Sequence, residues 1–166
     1  SKLDDPDVSL VYCAARIGKS KEESEIAYSL GEPARLNSTR FLKLILRGDA
    51  PVSPGAILIR TKDLLANLHS DFPTATPRPF DKHGAGPDVM ISILTASSYL
   101  CVVHQPIPLV YFRVHGGSFS IANTNDQVAQ GYRSSLSHYL INQKGRISWL
   151  RYLASGWVCQ IRVDRK

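Results

Sequence analysis

The sequence predicts an α/β fold in which a mixed sheet is flanked by helices. Three observations support this. Residues Val8 to Arg16 are apolar on both alternating faces, as a strand buried between two layers must be. Apolar residues recur at helical spacing in Arg40–Arg47 and again from Pro87 to Leu100. The order strand, helix, strand, helix, helix, strand is that of a layered α/β domain.

The elements follow in chain order. Val8–Arg16 is the first strand. Gly18 to Leu36 is polar, with Gly31 and Pro33 as breakers, and reads as a long loop with one helical turn. Ser38-Thr39 can cap a short helix, Arg40–Arg47, with Phe41, Leu44 and Ile45 on one face and Gly48-Asp49 closing it. Turn residues from Ala50 to Gly55 lead to a second strand, Ala56–Arg60. Thr61 then caps a helix through Leu68, with Asp63 in its first turn. Ser70 to Gly86 holds three prolines and two glycines and reads as a surface loop. Pro87 suits a first helical position. The helix it opens buries Val89, Ile93, Ala96 and Leu100, widened by Met90 and Leu94. Cys101–Val114 is extended and broken by Pro106 and Pro108, and Gly116-Gly117-Ser118 turns the chain. Helices near Asp126–Gln143 and Ile147–Ile161 complete it.

Composition narrows the function classes. Of the 166 residues, 43% are hydrophobic and 20% charged, as in globular domains. No apolar run is long enough for a membrane span, and the N-terminus has no signal-peptide core. Three widely spaced cysteines argue against a disulfide framework or a zinc site and suit a reducing, cytoplasmic compartment. The formal charge is +6. It resides in Arg133–Lys166, which has seven basic residues and one acid. The rest of the chain is neutral.

The chemistry-bearing string is Pro108 to Ser118. Strand alternation sets Val110, Phe112 and Val114 toward a core, and Tyr111, Arg113 and His115 the other way. Arg113 can fork onto phosphate oxygens. His115 can donate to phosphate or ligate a metal. Gly116 and Gly117 can take positive φ and aim backbone N–H groups at an anion, with Ser118 ending the string. An exposed polar face of an edge strand is the other reading. Asp88 likewise has two: complement to the helix dipole, or general base at the end of a Gly/Pro loop. His69, His83, His104 and His138 lack metal-ligand spacing and read as structural or exposed. The last helix sets an apolar stripe, flanked by Trp149 and including Trp157, against Arg151, Arg162 and further basic residues. Such a helix packs on its own domain, on an anionic membrane or on a partner. No nucleic-acid recognition motif is visible.

Arg60-Thr61-Lys62-Asp63-Leu64 opening a helix, an acid opening an apolar helix, and Tyr111-Phe-Arg113-Val-His115-Gly-Gly-Ser118 together resemble the C-terminal, acceptor-side half of family 2 glycosyltransferases. These have the GT-A fold. The resemblance covers roughly Leu3–Ser120. It implies a GT-A-like unit over residues 1–122 and a basic helical extension over 123–166. It implies inverting transfer of a sugar from a nucleotide diphosphate sugar to an acceptor hydroxyl, in glycan or polysaccharide biosynthesis on a glycan or lipid-linked acceptor. Asp88 matches the catalytic base. Arg113 and His115 match the string near the diphosphate and the divalent metal, Mn or Mg, with Gly116, Gly117 and Ser118 following. Pro87 stands where the first acid of the family's pair is, and no DxD lies on an apolar strand. With no donor-binding half in these 166 residues, the chain alone is expected to be inactive. The alternative is a non-catalytic, transferase-like binding module. Its basic helix would face a partner or the inner face of a membrane.

Overall fold

The computed structural model describes residues 2–69 and 86–117, together with residues 131, 132, 135, 136 and 139. Its spine is strand β1 (Val8–Gly18). The strand β5 (Cys101–Arg113) runs parallel to it along one side. On the other side, β2 (Ser24–Ala27) pairs antiparallel with the C-terminal half of β1, and β4 (Ile57–Ile59) with the N-terminal half. The strand β3 (Ala34–Asn37) closes the outer edge of β5, again antiparallel. The result is a mixed, five-stranded sheet.

The apolar character of β1 matches this central position. Leu10, Tyr12 and Ala14 are buried on one face, and Ser9, Cys13 and Ala15 on the other. The first face carries the main core. There α1 (Ser38–Arg47) and α3 (Pro87–Ser97) supply Phe41, Ile45, Val89 and Ile93. Leu136 and Tyr139, on helical backbone, join the same cluster. Burying side chains of this size contributes about 1.5–3 kcal/mol each.

Arg60 stitches the N-terminal segment to the second helix, α2 (Thr61–Asn67). Its guanidinium donates to the carbonyls of Leu3, Asp5 and Val8 at 2.5, 2.9 and 2.7 Å. It also pairs with Asp63 at 3.5 Å and lies 5.2 Å over the Tyr99 ring. Tyr99 donates to Asp63 at 2.8 Å. Asp63 therefore serves this buried network as well as the helix dipole.

Several expectations are corrected. The segment expected as a loop between Gly18 and Leu36 contains β2 and β3, because β1 and β5 offer open edges to pair with. Ser24–Ala27 has little strand propensity of its own, and tertiary pairing overrides it. Asn37, not Ser38 or Thr39, caps α1: its side chain accepts from the Arg40 amide at 2.8 Å. The next helix ends at Asn67 rather than Leu68. Its cap position is Arg60, with no side-chain cap, rather than Thr61. The helix α3 stops at Ser97, so Leu100 leaves the apolar stripe and is 70% exposed. Pro106 and Pro108 shift the β1–β5 register instead of ending β5. They lie beyond the last β3 pairing, on a stretch of edge where a missing N–H costs little. Val110, Phe112 and Val114 are half-buried rather than core; Val110 and Phe112 pair with Ala15 and Ile17, on the sheet face that α1 and α3 do not cover.

Phe41→Ala should destabilise the fold by about 3–5 kcal/mol in urea unfolding, while Leu100→Ala should change it by less than about 0.5 kcal/mol.

Candidate functional site

Asp88 lies in the first turn of α3. The chain enters that helix through Gly86 at φ 121°, a backbone state that side chains other than glycine rarely adopt. Ser135 braces the turn by donating to the Gly86 carbonyl at 3.1 Å. Asp88 is half-buried. Its Oδ1 accepts from the Val89 amide at 2.9 Å and its Oδ2 from the Tyr132 hydroxyl at 3.3 Å. Burial pushes its carboxyl above the ordinary value, against the smaller pull of the Val89 and Tyr132 hydrogen bonds. The Tyr132 phenol is itself pushed up, first by burial and then by the Asp88 charge, with a smaller effect from Tyr28.

Tyr28 completes the cluster. It is half-buried, burial raises its pKa, and its φ of 62° makes it the only positive-φ non-glycine among the described residues. A bulky side chain held there stores about 1–2 kcal/mol of strain. Ala27 pairs with Ala15, so Tyr28 leaves the sheet at the level of Ala14, two residues short of Arg16.

The second group is the C-terminal end of β5. Arg113 and His115 are exposed, and the Val114 amide donates to the Gly18 carbonyl at 2.8 Å. Gly18 is itself required, since a Cβ there would lie 2.6 Å from the Glu23 carbonyl oxygen. Gly116 and Gly117 form the expected turn, but neither takes positive φ, and a Cβ on Gly116 would meet nothing within 4 Å. The expected anion-cradling backbone is therefore not formed. The turn is open and solvated, with nothing forcing the left-handed state.

Sheet parity relates the two groups. Tyr12 and Arg16 share a face of β1, the face that α1 and α3 cover nearer the strand's N-terminus. Arg113 pairs with Gly18, on that same face. Asp88 and Arg113 thus belong to one side of the sheet. No hydrogen bond or ion pair joins them among the described residues. No local sequence motif marks Arg16 or the two tyrosines, because only register and packing bring them to this side. Alternation along the first strand could have flagged Arg16.

Among the described residues, no three His, Cys, Asp or Glu side chains gather as a metal would require. One imidazole, His115, does not make a divalent site by itself. His104 is structural: it is fully buried, with Nδ1 3.0 Å from the Glu32 carbonyl oxygen. Ser118, Trp149, Arg151, Trp157 and Arg162 lie outside the described residues, as do all but Gly86 of the loop expected from Ser70 to Gly86, most of the helix expected at Asp126–Gln143 and all of that expected at Ile147–Ile161. No helix among the described residues is long and apolar enough to cross a membrane. Comparison with protein-family models, curated proteins and solved structures finds no match to this chain.

The raised pKa of Asp88 has a stability consequence. A carboxyl raised on folding favours its neutral form in the folded state, so its contribution falls as pH rises from the ordinary carboxylate value through the raised one. Ionised Asp88 is a burden at neutral pH. Asp88→Asn should therefore be as stable as wild type, or more stable, in urea unfolding at pH 7. A residue serving only the helix dipole would instead lose about 0.3–1 kcal/mol.

Proposed function

We propose that this chain forms the acceptor side of an inverting, GT-A-like glycosyltransferase, with Asp88 as the general base. The observation that supports this best is the state of Asp88. A carboxylate is held half-buried at a helix start, at a cost to its own ionisation, on the side of the sheet that carries Arg113. Burial that opposes ionisation costs stability, and it suits a carboxyl that must exchange a proton.

In the transfer, Asp88 takes the proton from the acceptor hydroxyl as that oxygen attacks the anomeric carbon of the donor. A new C–O bond forms on one face of the sugar as the bond to the diphosphate breaks on the other, which inverts the configuration. The diphosphate leaves with the electron pair, and Arg113 offsets its charge. Tyr132 holds one carboxylate oxygen and the Val89 amide the other, which fixes the orientation of the base. Mn or Mg belongs to the resemblance. No three His, Cys, Asp or Glu side chains among the described residues gather to fit such an ion.

The test uses the protein that carries this chain, assayed for transfer from nucleotide diphosphate sugars to glycan acceptors. Asp88→Asn should lower turnover by about 10²–10⁴-fold. Wild-type turnover should fall as pH drops through the raised Asp88 pKa, because a base must be ionised. Turnover of Asp88→Asn within about twofold of wild type, or a product with retained anomeric configuration, would contradict the proposal.

A further inference from the structure

We infer that one internal water bridges Tyr12 on β1 and His104 on β5, and that the resulting hydrogen-bond chain latches the segment between β2 and β3 onto the core.

Tyr12 and His104 are paired positions of the parallel ladder, so both side chains leave the sheet on the face that α1 and α3 cover. Both are fully buried. Their ring centroids lie 4.8 Å apart, with the planes tilted by 48°. The Phe41 ring packs on the other side of Tyr12 at 5.5 Å. The His104 ring is fixed by its Nδ1, 3.0 Å from the Glu32 carbonyl oxygen. A carbonyl only accepts, so Nδ1 carries the proton of the neutral ring, and Nε2 keeps a lone pair. That lone pair is an acceptor with no partner in the protein. The Tyr12 hydroxyl is a donor in the same position. Burial pushes its pKa up to about 12, against the smaller opposing effect of the Arg40 charge, so the phenol keeps its proton at neutral pH.

A donor and an acceptor without partners, on two rings in contact, are complementary. Leaving either unpaired costs its full desolvation, and buried polar atoms in folded proteins nearly always find a partner. No direct bond joins them, and the His104 ring cannot turn toward the phenol without breaking its bond to Glu32. Two hydrogen bonds through one water span about 4.5–5.5 Å, which suits polar atoms on rings whose centres are 4.8 Å apart. The water accepts from the Tyr12 hydroxyl and donates to Nε2. His104 Nδ1–H then donates to the Glu32 carbonyl.

That chain ends in an unusual stretch of backbone. The segment between β2 and β3 holds two residues in the left-handed region, Tyr28 at φ 62° and Gly31 at φ 83°. Such states persist only where the surroundings over-determine them. The pairing of Ala27 with Ala15 fixes one end of the segment, and that of Ala34 with His104 fixes the other. Between them Leu30 packs on the core, and the Glu32 carbonyl is held by His104. The water sets the tautomer and orientation of that ring, and through it the anchor at Glu32.

The experiment is NMR of the full chain at neutral pH, with the His104 ring nitrogens, the Tyr12 hydroxyl and the backbone amides assigned. In the wild type, His104 should be the Nδ1–H tautomer with a hydrogen-bonded Nε2. The Tyr12 hydroxyl proton should exchange slowly and show a cross-peak to a long-lived water. In Tyr12→Phe that cross-peak should vanish, and Nε2 should move to the resonance of an unbonded lone pair. Amides of residues 28–32 should then exchange about tenfold faster or more, relative to those of β1. Phe41→Leu, which loosens the same core without touching either polar atom, should leave the Nε2 resonance in place. An Nε2–H tautomer, a wild type with no water cross-peak, or a direct coupling between the phenol proton and Nε2 would each overturn the bridge. So would an Nε2 resonance that Tyr12→Phe leaves unmoved. Amide exchange in residues 28–32 that keeps pace with β1 when the bridge is lost would overturn the latch. The wild-type readouts hold even if Tyr12→Phe fails to fold, and none of them depends on sugar transfer.

Discussion

The parallel pairing of β1 with β5 is the constraint on which the rest of the structure depends. It joins residues 8–18 to 101–113, so every element between them lies within one long crossover. It covers one edge of β1 and leaves the other to be shared by β4 and β2. It also sets two strand ends side by side, which is why Tyr111 and the Val114 amide both reach the Gly18 carbonyl. The placement of Arg113 beside Gly18 and of Arg16 beside Tyr111 follows from the same register. A slip of one residue would move each arginine to the opposite face.

The core side of the sheet combines two kinds of chemistry. Near the N-terminal half of β1, the helices α1 and α3 exclude water over Leu10 and Tyr12, and burial pushes the Tyr12 phenol up to about 12. Toward the strand ends the cover thins, and polar groups take over. Asp88, Tyr132 and Tyr28 lie at this border. Each has its pKa raised chiefly by burial, and one sits on strained backbone. Their placement beside exposed arginines is the physical basis for the proposal that this border is a reacting centre.

What was legible in the sequence was whatever depends on local pattern. The apolar run of β1, the helix after Asn37, the Pro87 start of α3 and the glycine turn after β5 carry their signals in neighbouring residues. The strands β2 and β3 carried no such signal, since four-residue segments such as Ser24–Ala27 become strands only against an existing edge. The same limit applied to the site. Asp88 and Arg113 stood out by residue type and position. Tyr28, Tyr132 and Arg16 did not, because their roles depend on tertiary placement. Leu100 shows the reverse failure: helical periodicity ran past the physical end of the helix, and the next residue was already committed to β5.

The most direct measurement of the central claim is the titration of the Asp88 carboxyl carbon by ¹³C NMR, with the resonance assigned through Asp88→Asn. The account predicts a midpoint above the ordinary aspartate range, because burial outweighs the hydrogen bonds from Val89 and Tyr132. A midpoint at or below that range would mean that the helix start and its hydrogen bonds dominate. Asp88 would then be a solvated dipole partner, and the case for a general base at this helix start would fail.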